Sequence, residues 1–391
     1  MITHRSNRVR RRVLAAGAAT VALLMVAACG GSESGAEETS HLIGFPALTS
    51  GPSSFAGVPL TQGARLAADE INETAFLGEG TTVELQIDDI NDDPARAISL
   101  YQEYVSDGAS GVLCCGASET GALAPLIKEG EVPGVVTSSN RAEAVEVPHV
   151  FSSVLLPAAE GGMYDSFVDA IVPDQGYETA VMVVNGDLDP MVADGEVWTA
   201  ALERNGIEIL ETISIAAADT NHVGPATEIA AVDPDVVVSS MLGGSTAQLA
   251  RALRERGFDK RILTSYGASG PTLFETAGHA MEGVTFPTPF AATHPRNEMA
   301  KSFVTAYEEE FGEQPDLFAA QGYTAMWLMA HGLKGAGSTD PALVKEALAS
   351  VEEYETVYGS VTVEEGQSVA HDPGIVLEWE ADGSLRELEL G

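Results

Sequence analysis

Residues 42–105 read LIGFPALTSGPSSFAGVPLTQGARLAADEINETAFLGEGTTVELQIDDINDDPARAISLYQEYV, and the fold is decided there. Leu42 to Leu48 is a short apolar run ending in Thr-Ser-Gly, which predicts a first strand. Leu60, Ala64, Ala67 or Ala68, and Ile71 recur at helical spacing, so a helix follows. Val83, Leu85 and Ile87 alternate with Glu84, Gln86 and Asp88 and predict a second strand. Asp93-Pro94 then opens a second helix: Asp can accept a free N–H of the first turn, and Pro lacks one. Ile98, Tyr101 and Val105 are expected to form its buried face. Apolar strands alternating with amphipathic helices imply a parallel sheet covered on both faces.

The rhythm continues outward. Val112 to Cys115 and Val135 to Thr137 read as strands three and four. It resumes with a strand at Ala180 to Val184, a helix at Val192 to Leu202 and a strand at Val236 to Ser240. A helix at Thr246 to Arg256 and a strand at Ile262 to Tyr266 follow. Two such series predict an α/β protein of two doubly wound parallel-sheet lobes. Residues 296–350 then read as three helices, Asn297 to Phe311, Leu317 to Leu333 and Pro341 to Ser350. Near the end, Asp382-Gly383 lies between alternating runs, a two-residue hairpin signal.

Upstream of the first strand the character changes. Arg5, Arg8, Arg10, Arg11 and Arg12 precede an apolar run from Val13 to Ala28, and no acid occurs before Glu33. That is the layout of a secretory signal, expected to span residues 1–28. Val26-Ala27-Ala28-Cys29 resembles the lipobox of bacterial lipoproteins, which implies a lipid on the Cys29 sulfur; an ordinary cut nearby is the alternative. Arg10-Arg11-Arg12 leaves Sec and twin-arginine export both open. Residues 29–40 read as a polar, flexible tether. Cys114 and Cys115 are the remaining cysteines; neighbours seldom bridge, and small buried residues at a strand end are expected.

With 58 acidic and 20 basic residues, the chain has a net charge of −38. Nucleic acid is a poor partner for such a surface, because phosphates need clustered Lys and Arg. The histidines are scattered without ligand spacing, so no metal is expected. There is no G-x-S-x-G elbow, H-E-x-x-H pair or G-x-x-x-x-G-K-[ST] loop, so neither a catalytic residue nor a cofactor is expected. An exported hydrolase is the reading from another class, and turnover of esters, peptides or glycosides would favour it.

Several marks together resemble one family. They are Ile43-Gly44-Phe45 with Leu48-Thr49-Ser50-Gly51, Gly63-Ala64-Arg65-Leu66-Ala67-Ala68-Asp69-Glu70-Ile71-Asn72, and Asp88-Asp89 with Asp93-Pro94. Phe303, Tyr307, Phe311-Gly312, Pro315-Asp316, Tyr323 and Ala325 complete them. In order and spacing the chain is similar, over roughly residues 41–391, to type I periplasmic solute-binding proteins of the branched-chain amino acid, amide and urea group. The resemblance implies two lobes joined by three crossover segments, near residues 154–158, 285–290 and 354–362. Lobe one would be 41–156 and 287–354, and lobe two 157–286 and 355–391. It further implies an extracytoplasmic protein, held at the membrane by its lipid, that delivers a small-molecule ligand to an ABC transporter permease. A monomer is expected. A ligand sensor of the same fold is the alternative.

The ligand would lie at the C-terminal ends of the strands. Gly116, Ala117 and Ser118 stand where the family supplies backbone N–H and hydroxyl groups; Ser118 as a helix cap alone is the alternative, and Glu119 would disfavour an anion if it points inward. Ser139 matches the family's small binding residue, and Asn140 and Glu143 have capping-box spacing. Arg141 is either a bidentate clamp for a carboxylate or a solvated surface residue. Phe55 is either a ring against the ligand or a core residue. Asp187 is the acidic candidate of lobe two, or plain turn chemistry, and Tyr266 would be a second wall. The reading that results is a small carboxylate, amide or amino-acid-like ligand held by Ser139, Arg141 and loop amides.

Overall fold

The computed structural model describes residues 39–114, 116–139, 144–155, 162–370 and 374–388, and two sheets form within them. β1 (Thr39–Ala47) pairs in parallel with β2 (Thr81–Asp89), with the 20-residue helix α1 (Ser54–Glu73) crossing between them. Helix α2 (Pro94–Ser106) starts as the sequence predicts, the Asp93 side chain accepting the Ala95 N–H at 2.9 Å. Its buried face is Ala97, Leu100, Tyr101 and Tyr104, whereas Val105 is 44% exposed. Gly44 is the reason. Any side chain there would overlap the Tyr104 ring, so the bare backbone of β1 admits Tyr104, whose hydroxyl reaches Asp88 at 2.9 Å. β3 (Gly111–Cys114), α3 (Ala117–Glu129), β4 (Gly134–Val136) and β5 (Val150–Ser152) extend the parallel sheet.

The second series runs α4 (Met163–Gln175), β6 (Thr179–Asn185), α5 (Asp189–Arg204), β7 (Glu208–Ile215) and α6 (Val223–Val232). It continues with β8 (Val236–Ser240), α7 (Gly243–Arg254), β9 (Ile262–Thr264), α8 (Pro271–Ala277) and β10 (Val284–Thr288). β6 to β10 are parallel. Their side chains divide by the two-residue period of a strand. Val181, Val183 and Val237 enter one core with Leu249 and Phe286. Ala180, Met182, Val236 and Val238 enter another with Tyr164, Phe167 and Trp198. Burial on both faces is why these strands read as continuous apolar runs.

Helix α9 (Glu298–Phe311) is capped by Asn297, and α10 (Leu317–Ala336) by Asp316, each side chain accepting the N–H three residues on. α10 is buried on nearly every side and lies against α1 backbone to backbone. A side chain at Gly63 would overlap the Ala319 carbonyl, and one at Gly322 the Leu60 carbonyl. α11 (Pro341–Leu348) is followed by β11 (Glu353–Thr356), β12 (Gly359–Glu364) and β13 (Gln367–Ala370). These three correct the expected boundary. They form an antiparallel meander at the edge of the first sheet, β13 lying parallel to β5 through Gln367 and Ser152. Tyr354 and Val361 enter the first core, so residues 353–370 stay with the first sheet rather than crossing to the second. β14 (Ile375–Trp379) and β15 (Leu385–Glu387) then close the second sheet as a hairpin around Asp382-Gly383, with Gly383 at φ +86°. The strand orders are β11-β12-β13-β5-β4-β3-β1-β2 and β15-β14-β10-β9-β8-β6-β7.

Candidate functional site

At the C-terminal end of the first sheet, one carboxylate ties two loops together. Asp89, ending β2, accepts the Thr49 hydroxyl at 3.0 Å, the Ser50 N–H at 2.9 Å and the Ser50 hydroxyl. These bonds, that from the Ser50 hydroxyl foremost, hold its carboxyl below the usual range. Asp92 accepts the Ser53 N–H at 3.1 Å and so fixes the start of α1. Phe55, in the first turn of that helix, is 56% exposed and meets the Phe318 ring edge-on at 5.8 Å. It is therefore a surface ring beside the strand ends and not a core residue.

Gly116 is the residue before α3, Ala117 opens the helix, and Ser118 is exposed within the first turn. Ser118 does not cap. That work falls to Glu119, whose carboxylate reaches back to the Gly116 N–H and also takes its own backbone N–H. Glu119 is only 2% exposed, and burial raises its carboxyl above the ordinary value. Ser139 is buried just beyond β4, next to the turn where Thr137 donates its hydroxyl to the Cys114 carbonyl at 2.8 Å. Cys114 is a core residue, its thiol pushed up to about 12 by burial. Asn140, Arg141, Glu143, Cys115 and Cys29 lie outside the described residues.

In the second sheet the loop after β6 is anchored by a residue that sequence reasoning passed over. Asn185 is fully buried; its Nδ2 donates to the Ile215 carbonyl at 3.2 Å and its Oδ1 accepts the Leu242 N–H at 2.9 Å. One amide thus joins the ends of β6, β7 and β8. Asp187 is exposed and accepts the Ala217 N–H at 2.8 Å, a loop-to-loop tie. Tyr266 follows β9, packs against the first core as well as the Tyr164 core, and adds to the upward push that burial gives the Tyr358 phenol of the β11–β12 turn. Its N–H donates to the Tyr164 hydroxyl at 3.3 Å, and that hydroxyl donates to Asp194 at 3.0 Å. Asp194 is 1% exposed, and burial raises its carboxyl to about 6.

The architecture is thus two sheets with loops pinned at their strand ends and a tyrosine packed against a core of each sheet. A family model described as periplasmic binding protein matches residues 42–384. The chain belongs to the periplasmic binding proteins. Among curated members of this family, it is 22% identical over 386 residues to Leu/Ile/Val-binding protein homolog 1 of Brucella abortus (strain 2308), covering 94% of this chain and 98% of the relative. It is 24% identical to a leucine-, isoleucine-, valine-, threonine- and alanine-binding protein of Pseudomonas aeruginosa, over 87% of this chain and 90% of the relative. Solved structures share the fold. The branched-chain amino acid transporter substrate binding protein LivJ from Streptococcus pneumoniae, in complex with isoleucine, superposes with a TM-score of 0.77 at 21% identity, covering 90% of this chain and 99% of that one. A benzoate-bound solute binding protein from R. palustris gives 0.74 at 20% identity, covering 90% and 96%. Periplasmic binding proteins of this type serve ABC transporters, and the curated relatives are named for binding. Among the described residues no helix is long and apolar enough to cross a membrane.

Proposed function

We propose that this periplasmic binding protein is anchored outside the cytoplasm by a lipid on Cys29, closes its two lobes over a small polar molecule, and hands that molecule to an ABC transporter permease. The observation that carries the reading is the pair of separate sheets whose strand-end loops are pinned within each lobe, by Asp89 in one and Asn185 in the other. Rigid loop ends suit a ligand that must be gripped from both sides. The elements pass between sheets after β5, after β10 and after β13, so three crossings would serve as the hinge. On this reading the lobes are 41–156, 287–354 and the meander to residue 370 on one side, and the remainder on the other.

The ligand is a small amide, carboxylate or amino-acid-like molecule, contacted by Gly116, Ala117, Ser118, Ser139, Asn140 and Arg141, with Asp187 at the rim and Phe55 and Tyr266 as walls. Relatives named for leucine, isoleucine and valine, and a fold neighbour holding benzoate, support that class. Ligand touching both lobes stabilises the closed form only by its differential affinity for it. Mass spectrometry of small molecules released from the purified full chain tests the reading: one molecular species of this class is expected, and a protein that never carries one contradicts it. Cys29→Ser should move the protein from the membrane fraction to the soluble fraction; a variant still held at the membrane contradicts the anchor.

A further inference from the structure

Among the described residues between 162 and 284, Tyr266 is the one hydrophobic side chain that packs against the core of the first sheet. Its ring also packs against the core built around Tyr164 and Trp198 in the second sheet. A chain of hydrogen bonds holds this residue in place. The Tyr266 N–H donates to the Tyr164 hydroxyl at 3.3 Å, and that hydroxyl donates to Asp194 Oδ2 at 3.0 Å. Tyr164 is fully buried, its ring centre 4.9 Å from that of Trp198 and 6.3 Å from that of Tyr266, so close packing denies it another partner. The chain of bonds ends on a carboxyl that is 1% exposed and whose Oδ1 has no hydrogen-bond partner among the described residues.

The charge at that end governs the bonds before it. A hydroxyl that gives its proton to a carboxylate becomes a better acceptor for the next N–H, and both bonds weaken when the carboxylate is neutralised. The elements packed against α5 leave this role to Asp194. β6 and β8 carry no titratable side chain. Besides Tyr164, α4 brings Asp165 and Asp169, which Arg204 of α5 holds at 3.2 and 2.9 Å. Glu196 and Glu203 of α5 and Glu208 of β7 are exposed, and Glu211 of β7 pairs with Glu228.

Resting on the transport reading above, we propose that Asp194 is a positioning residue: acting through Tyr164, its carboxylate fixes Tyr266 at the contact between the lobes, and protonation loosens that contact and weakens ligand binding. A carboxyl is then kept where burial makes its ionisation costly because its charge holds Tyr266.

Amide hydrogen exchange of the ligand-free full chain, corrected for the intrinsic rate at each pH, reads these bonds directly. Burial raises the Asp194 carboxyl to about 6, so the group is ionised near pH 7 and protonated near pH 5. Between those values the Tyr266 amide should lose about fivefold in protection, the difference between hydrogen bonds that do and do not involve a charged group. Asp194→Asn has no charge to lose and Tyr164→Phe has no hydroxyl, so each should be flat. Asp316, also raised to about 6, remains in both variants, so the comparison with wild type isolates Asp194. Calorimetry with leucine, isoleucine and benzamide carries the test to binding. Whichever of them binds should bind the wild type about fivefold more weakly near pH 5 than near pH 7, and the variants without that loss. A structural role alone would lower the stability of the variants and leave the pH ratio unchanged. Equal protection of the wild-type Tyr266 amide at both pH values overturns the inference even if no variant folds. An unchanged pH ratio of binding in a folded Asp194→Asn protein overturns it too, and neither result touches transport. Failure of all three probes to bind overturns it as well, and the transport reading falls with it only if the purified chain also releases no small molecule.

Discussion

Asp194 is held beneath Tyr164 with its carboxyl raised to about 6 by burial, and this makes a pH dependence. Below about pH 4 the group is protonated folded or unfolded and costs nothing. Between about 4 and 6 the unfolded chain ionises and the folded chain does not, so stability falls as pH rises. Above 6 the cost is complete, on the order of 3 kcal/mol for a shift of about two units. Asp316, capping α10 and also raised to about 6 by burial, contributes a slope of the same sign. Asp194→Asn should therefore flatten, without abolishing, the fall in melting temperature between pH 4 and 7; parallel profiles for variant and wild type contradict this. Such residues set the limit on what the site reveals in sequence. Phe55, in the loop region after the first predicted strand, and Tyr266, at the end of another, stand out in the sequence as aromatics near strand ends. Asp194 stands well past the end of β6 and reads as an ordinary polar helix residue, since nothing local says that Tyr164 will cover it. Asn185 is overshadowed by Asp187 two positions on, because an amide's value there depends on the ends of β7 and β8, far away in the chain.

The contact between α1 and α10 is the clearest test at the level of elements. Gly63 and Gly322 let the two backbones touch, each facing a carbonyl of the other helix. Gly63→Ala gains helix propensity, up to about 1 kcal/mol in an open helix. Here the methyl must push the helices apart, a strain of about 1–3 kcal/mol or more. A net loss is expected in urea denaturation, whereas Gly224→Ala, with open space around it, should not show one; an equal or higher midpoint for Gly63→Ala contradicts the close approach. Elements buried on two faces, such as β6 and β8, are plain in the sequence because both sides of the strand must be apolar. Several of the strands missed are short or half-covered, while β10, buried along Val284–Thr288, is missed as well. β5 has three residues, β7 is an edge strand with Glu208 and Glu211 among its apolar positions, and β11 to β13 are a meander covered chiefly through alternate residues. Their pairing partners lie more than 200 residues away in the case of β5 and β13, so the boundary at residue 370 follows from sheet registry and not from local pattern.

For the whole molecule, the separation into two sheets was legible from the repeated strand-helix rhythm alone, and the family marks from Ile43 to Ala325 agree with the match over residues 42–384. What the rhythm cannot supply is the motion. The account holds that the sheets are rigid bodies, that three crossings form the hinge, and that ligand draws the lobes together. Small-angle scattering of the full chain, first stripped of small molecules and then saturated with the species that mass spectrometry recovers from it, reads this directly. The account predicts a smaller radius of gyration with ligand bound; an identical profile at proven saturation would contradict closure between the lobes.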